Sequence, residues 1–439
     1  MGLFLQDKRA KHMLKSHKYW LGLFWMAAIF VLPLPLIQTL SQGMQNTINM
    51  SNLFASQIGI IAYVWMLFAI AISIKPKWID KLIGLPEMYF VHGILGVSAI
   101  VLAFTHKMML QSSGLIKQTG DIALIIFIGI AAYSIFFMSG WLTSRSKVLR
   151  KIKTTIEKIL SYEVSVWLHR LNIVATLLVF AHVILIPYIV TITPFMTLFF
   201  VYSGVTAVMY LYYHFGKPLL ARHGQLIANK KLAHSVTELV IRLNKNAQIH
   251  PGDFVYISFP EVDGFKEMHP FSILRYDQAQ RELVFAIRNW GDFTAKLDKI
   301  PVGAKVKIDG SYGRLSESIK ENEGKHLVFI GSGVGSVPLI SLTRSLIDKH
   351  KVSFIRVASK QEDLIYESDL QDLAVKNPNL DYASQVGRLK ENQVKTIVAK
   401  NRNSFYIVGG STPMMVGTMK LLQDAGVRKA DIYGEKFNF

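Results

Sequence analysis

The sequence predicts a six-helix membrane bundle joined to a water-soluble half that combines an antiparallel β-barrel with a parallel α/β layer. Three observations carry this. Residues 19–215 hold apolar runs of membrane-crossing length in a chain of 439 residues that is 51 % hydrophobic. From about Lys217 the pattern changes to short alternating strands, and after Glu323 it changes again to strand–loop–helix repeats. The expected divisions are 1–18, 19–216, 217–322 and 323–439: a basic arm, the bundle, the barrel and the α/β layer.

Six spans are expected, near 19–40, 54–74, 88–110, 121–143, 164–189 and 195–215. The first is too long for a cleaved signal peptide, and no small-residue cleavage site follows it. Basic residues set the topology. DKRAKHMLKSHK, KPKWIDK and RSKVLRKIKTTIEK together carry fourteen Lys and Arg, whereas the loops on the other side carry only Lys107 and Lys117. That asymmetry places both the N-terminus and the C-terminal half in the cytoplasm, and the expected location is the plasma membrane. The net charge of +19 is therefore mainly a topology signal. No aromatic–basic motif supports nucleic-acid binding. The chain has no cysteine, which excludes disulfides, thiolate-held Fe–S clusters, c-type haem attachment and a cysteine nucleophile.

Four histidines lie inside spans, where ionisable groups are costly and point to function. His92 and His106 are fourteen apart in the third span; His169 and His182 are thirteen apart in the fifth. The two spans run in the same direction, so His92 shares a depth with His169 and His106 with His182. At about 1.5 Å per residue the two levels lie roughly 20 Å apart. Two imidazoles at each depth could bind two stacked metal cofactors. At about 100° per residue, fourteen residues return roughly 40° short of the same face, but thirteen leave His182 roughly 140° away. Hydrogen-bonded structural histidines are one alternative. A metal-ion transporter is another, although Glu87 and Glu163 stand only at span entrances. His12, His17 and His214 read as structural.

This pattern resembles the ferric reductase and NADPH oxidase superfamily, whose six-helix domain binds two b-type haems and shows the same unequal spacing. The resemblance implies that His92 and His169 ligate the cytoplasmic-side haem and His106 and His182 the outer one. Gly93 and Gly96 leave room near the first level. Arg170 would either meet a haem propionate or anchor the inner membrane face.

In the soluble half SVTELVIRL, GDFVYISF, HPFSILRY, ELVFAIRNW and KVKIDGSY each have strand length and are divided by turn residues, which predicts a small barrel. HPFSI at 269–273 resembles the flavin motif of ferredoxin–NADP reductase-type domains. By that resemblance Ser272 approaches the reactive edge of FAD, while His269, Pro270 and Phe271 hold the cofactor. IRNWGDFT matches the same family's basic–Gly–Thr pattern, which puts Arg288 against the FAD pyrophosphate and has Gly291 and Thr294 line its cradle. GSYGRLS resembles the turn that closes the barrel.

HLVFIGSGVGSVPLISL runs an apolar strand into Gly331, Gly333, Gly335 and Pro338 and then a helix, a loop suited to a pyrophosphate at a helix N-terminus. Ser336 occupies the third glycine position of the dinucleotide fingerprint, and the loop resembles the reductase family's G-x-G-x-G-x-x-P instead. YIVGGSTPMM resembles that family's Cys-Gly-Pro segment beneath the nicotinamide, with Val408 in the cysteine position and Gly409 following. The ending YGEKFNF resembles the family's terminal aromatic against the flavin, implying Phe437 first and Phe439 second. Ser359 and Lys360, at the end of the second strand, favour NADPH over NADH.

Taken together, the resemblance implies a transmembrane oxidoreductase that moves electrons from cytoplasmic NAD(P)H through FAD and two b-type haems to an extracytoplasmic acceptor, either dioxygen or a ferric complex. With no EF-hand loop and no regulatory domain in the sequence, a constitutive enzyme is expected. The competing readings are a metal-ion transporter or sensor with a regulatory flavin domain, and a flavin reductase tethered by an inert anchor.

Overall fold

The computed structural model describes residues 17–45, 47–137, 162–216, 221–233, 235–291 and 293–436. They divide into two compact units, a membrane unit and a soluble unit, with the division between Pro218 and Leu219.

Among the described residues, six helices of the membrane unit are long and apolar enough to cross a bilayer: α1 (Trp20–Met44), α2 (Met50–Ser73), α3 (Leu85–Met109), α4 (Gly114–Phe137), α5 (Val164–Ile184) and α6 (Thr193–Gly216). Within each helix the backbone groups satisfy one another, as a lipid environment demands. The fourth helix starts at Gly114, seven residues earlier than the hydropathy pattern suggests. Its polar first turns look like a loop by composition, but Thr119 bonds the Leu115 carbonyl at 2.8 Å and Lys107 pairs with Asp121 at 2.8 Å.

The bundle packs through two clusters. Leu36, Leu40, Tyr63, Phe195 and Phe199 are among the buried residues of the first. There Phe199 stacks on Tyr63 and Phe180 with centroids 5.1 and 5.2 Å apart, and the Tyr63 hydroxyl meets Ser203 at 2.9 Å. Ala62, Ala99, Ala123 and Ala175 belong to the second, where small side chains let helices approach closely. Phe30, Ile125 and Val208 point outward from the bundle, as suits a lipid-facing surface.

The soluble unit opens with seven antiparallel strands in the order β4-β3-β7-β1-β2-β6-β5. They are β1 (Arg222–Ala233), β2 (Val236–Leu243), β3 (Phe254–Ser258), β4 (His269–Ser272), β5 (Arg275–Asp277), β6 (Glu282–Arg288) and β7 (Lys305–Tyr312). Two details depart from the sequence reading. β1 has no apolar alternation, and its RHGQLIANKKLA gave no strand signal. HPFSILRY is two strands, not one. Ile273 donates its N–H to Asp253 before β3, and Leu274 donates to Val284 of β6, so the chain changes partners at this corner.

The second sheet is parallel, in the order β10-β9-β8-β11-β12. Its strands are β8 (His326–Ser332), β9 (Val352–Ala358), β10 (Leu380–Val386), β11 (Ser404–Gly410) and β12 (Ile432–Lys436). Helices α7 (Leu315–Lys320), α8 (Val337–Leu346), α9 (Glu367–Lys376), α10 (Glu391–Lys400) and α11 (Thr412–Asp424) complete the unit. β11 is buried along its whole length, as the continuous apolar run of a central parallel strand requires. Val236, Val284 and Ala286 of the barrel share a core with Val337, Ile340 and Phe329 of the parallel layer.

Candidate functional site

The four membrane histidines form two facing pairs. The His92 and His169 rings have centroids 5.8 Å apart with planes inclined by 55°; those of His106 and His182 are 6.3 Å apart and inclined by 82°. Every Nδ1 is engaged. It meets the Ala69 carbonyl at 2.9 Å for His92, Ala55 at 2.8 Å for His106, Ile116 at 2.8 Å for His182, and the Ser134 hydroxyl at 3.0 Å for His169. A carbonyl only accepts, so three of the Nδ1 atoms carry the proton and the lone pair of the neutral ring sits on Nε2. That is the donor set of a metal-ligating histidine. A metal held between two imidazoles by bonds of about 2 Å puts ring centroids roughly 6 Å apart, so the pairs have the separation a bis-histidine iron needs. Among the described residues no group of three or more His, Asp or Glu side chains gathers, so each pair stands as a two-donor set.

The thirteen-residue spacing has a local cause. α5 is interrupted at Arg170, between the helical segments Tyr162–His169 and Leu171–Ile184. The Arg170 N–H is shared between the Val166 and Trp167 carbonyls, at 3.2 and 3.1 Å, and Ile173 bonds back to Arg170 at 2.9 Å. These i→i+3 bonds tighten the turn. His169 and His182 therefore sit on segments that need not share one angular register, which lets both rings meet their partners on α3. A Cβ on Gly93 or Gly96 would meet nothing within 4 Å, so the space beside His92 is open.

In the barrel the register sets Ser272 opposite Phe254 and Phe254 opposite Tyr312. Pro270 and Phe271 lie opposite Tyr256 and Val255. Phe293, which the sequence reading passed over, links this strand to the 288–294 turn. Its ring lies 4.0 Å from that of His269 and 6.1 Å from that of Phe271. In that turn the Trp290 N–H donates to Thr294 Oγ1 at 2.8 Å, the Arg288 guanidinium lies 5.3 Å from the Trp290 ring, and Gly291 has φ +107°. A side chain there would be strained, although a Cβ would meet nothing within 4 Å, so the turn keeps an open face. Arg288 is exposed at the end of β6. Asp253, buried below Ser272's neighbour Phe254, has its carboxyl pushed up to about 6 by desolvation against the hydrogen bond from the His250 N–H.

The parallel sheet reverses its order between β8 and β11, so a crevice opens at their C-terminal ends, the usual ligand position of such sheets. Gly331 is the penultimate residue of β8, Gly333 and Gly335 follow the strand, and Pro338 stands in the first turn of α8. Gly333 has φ +52° and open space where a Cβ would be. Gly335 instead packs on Gly409 and Gly410 at the end of β11: a Cβ there would collide with the Gly410 backbone, 2.6 Å from its N. The two loops thus meet across the crevice. Val408 is fully buried beneath it. Ser359 and Lys360 lie exposed after β9, with Lys360 paired to Glu362 at 3.3 Å. Phe437 and Phe439, the basic arm 1–16 and the segment 138–161 lie outside the described residues.

Residues 225–326 match the FAD-binding domain family. The chain is similar to the reductase component of propane 2-monooxygenase from Rhodococcus jostii, 26 % identical over 211 residues, covering 43 % of this chain and 56 % of that protein. It is also similar to the putative respiratory burst oxidase homolog protein G of Arabidopsis thaliana, 23 % identical over 274 residues, covering 56 % of this chain and 31 % of that one. The chain therefore spans about half the length of the first of these relatives and a third of the second. A solved ferredoxin NADP+ reductase from Neisseria gonorrhoeae with bound FAD and NADP covers 49 % of this chain and 97 % of its own, at 18 % identity and a TM-score of 0.43. The FAD-binding domain, the likeness to a respiratory burst oxidase homolog and the six helices of membrane-crossing length fit the ferric reductase and NADPH oxidase superfamily and support an NAD(P)H-dependent oxidoreductase.

Proposed function

We propose that this protein is a transmembrane oxidoreductase that takes electrons from NAD(P)H on the cytoplasmic side, through FAD and two b-type haems, to dioxygen or a ferric complex on the far side of the plasma membrane. The observation that carries the proposal is the pair of imidazole levels, with every Nδ1 engaged and, at three of the four rings, the lone pair left on Nε2. When bound, FAD would supply the change from two-electron hydride chemistry to single electrons, and the haems one-electron transfer.

The chain's own residues hold and orient these groups. His92 with His169, and His106 with His182, would hold the two haem irons through their ring nitrogens. The Ser272 hydroxyl would hydrogen-bond the reactive edge of the flavin, and His269, Pro270 and Phe271 would hold its side. Arg288 offsets the pyrophosphate charge beside Gly291 and Thr294. Backbone amides from Gly331 to Gly335 receive the dinucleotide phosphates at the start of α8, where Pro338 removes an N–H that would otherwise lack a partner. Gly409 keeps the floor of the crevice flat under the nicotinamide. Ser359 and Lys360 support NADPH through its 2′-phosphate, and Phe437, with Phe439 second, is the aromatic that nicotinamide displaces. The fourteen-to-two division of basic residues supports cytoplasmic termini.

The test is an absorption spectrum of the anaerobic, detergent-purified protein before and after NADPH, then after air or a ferric chelate. Two haems per chain that reduce with NADPH are expected. Reoxidation by air identifies dioxygen as an acceptor; reoxidation only by the chelate identifies ferric iron. In the His106→Leu and His182→Leu variants, one haem per chain and loss of reduction of membrane-impermeant acceptors are expected, with NADPH oxidation by a soluble acceptor retained. A haem-free wild type would overturn the assignment of all four histidines.

A further inference from the structure

We propose that Gly59 and Gly120 are positioning residues that set the orientation of the two outer imidazoles; the inference rests on the haem reading above. The outer pair is held by one device used twice. On α2 the ring of His106 reaches the carbonyl of Ala55, and residue 59, four positions on, is glycine. On α4 the ring of His182 reaches the carbonyl of Ile116, and residue 120, again four positions on, is glycine. A helical carbonyl at position i already accepts from the N–H of i+4, and the Cβ of i+4 leans back toward the helix N-terminus, over the path a second donor must take. With no Cβ at i+4, an imidazole from another helix can come in beside that carbonyl.

The space confirms how close the approach is. A Cβ on Gly59 would lie 2.8 Å from His106 Nδ1 and 2.9 Å from its Cε1, nearer than real Cβ atoms come to any neighbour. A Cβ on Gly120 would lie 3.2 and 3.3 Å from the same atoms of His182. The inner level is built differently. His92 bonds the Ala69 carbonyl with Ser73 four positions on, and His169 is held by the side chain of Ser134. Gly129, on the same helix as Gly120, has nothing within 4 Å of its would-be Cβ and serves as the control.

The experiment compares full-length Gly59→Ala, Gly120→Ala and Gly129→Ala for haem per chain and for the two components of a redox titration. Gly59→Ala is expected to lose or displace one component while leaving the other superimposable on wild type. Gly120→Ala should act on that same component to a smaller extent, and Gly129→Ala on neither. A second measurement needs no haem: thermal stability of Gly59→Ala in the wild-type and His106→Ala backgrounds. Alanine is ordinarily the better helix former, so the substitution should destabilise only where the imidazole is present. The proposal is overturned if the two glycines affect different components or none, if Gly129→Ala disturbs the same component, or if Gly59→Ala costs equal stability in both backgrounds. A wild type without haem would sink the haem reading instead, and the stability comparison would still decide the packing role.

Discussion

Three of the four membrane histidines give their Nδ1 proton to a backbone carbonyl, and His169 alone faces a hydroxyl. The difference has chemical consequences, because an acceptor on Nδ1–H pushes electron density toward Nε2 and makes the ring a stronger ligand. As a metal ligand through Nε2, His169 would donate its Nδ1–H to Ser134, so Ser134→Ala would remove the acceptor without touching the ligand. One of the two midpoint potentials is then expected to rise, with the affinity of that site falling about tenfold to a hundredfold, the usual effect of losing such a partner. A redox titration of the variant checks it, and two unchanged potentials would refute it. The histidines themselves were legible in the sequence because a charged-capable ring in an apolar span has few bland explanations. Ser134 was not. It lies 35 positions from His169 on another helix, and nothing in a serine's local sequence tells which ring it will meet. Phe293 was hidden for a similar reason: its contact with His269 depends on how two barrel segments come together.

At the level of elements, the sequence shows best what hydropathy and glycine patterns encode, and less of what partner choice decides. The six apolar helices, the alternating β2 and the buried β8 and β11 all follow from side-chain pattern. The polar β1 becomes a strand because β2 and β7 pair with it on either side, and no pattern in its own residues says so. The break in α5 is equally silent: Arg170 and its neighbours carry no proline or glycine, and only the bonding shows the tightened turn. The glycine loops illustrate the legible kind. Gly335 has no room for a side chain because Gly410 lies against it. Gly335→Ala must therefore move one loop away from the other, an overpacking that costs about 1–3 kcal/mol. The expected outcome is a KM for NAD(P)H raised at least about fivefold, the lower end of that cost, with FAD content unchanged. Steady-state rates with a soluble acceptor read the first, and the flavin spectrum reads the second.

As a whole molecule, the chain keeps its histidine pairs and its glycine loops in separate compact units, each with its own core. On the electron path proposed above, the two histidine levels would give the membrane unit an electrical property. Fourteen helical residues separate them by about 21 Å, which is roughly two-thirds of a hydrocarbon layer about 30 Å thick. An electron passing from one level to the other thus crosses that fraction of any transmembrane voltage. A full unit charge is worth about 2.3 kcal/mol per 100 mV, so the step is worth roughly 1.5 kcal/mol. In vesicles with the NADPH site outermost, a diffusion potential of 100 mV, negative on the NADPH side, should shift the electron distribution toward the far level roughly tenfold. A potential of the opposite sign should hold electrons back by the same factor. On that proposed path the enzyme would run as a current as well as a reaction: each turnover would discharge the membrane, and continued turnover would require a compensating flow of ions.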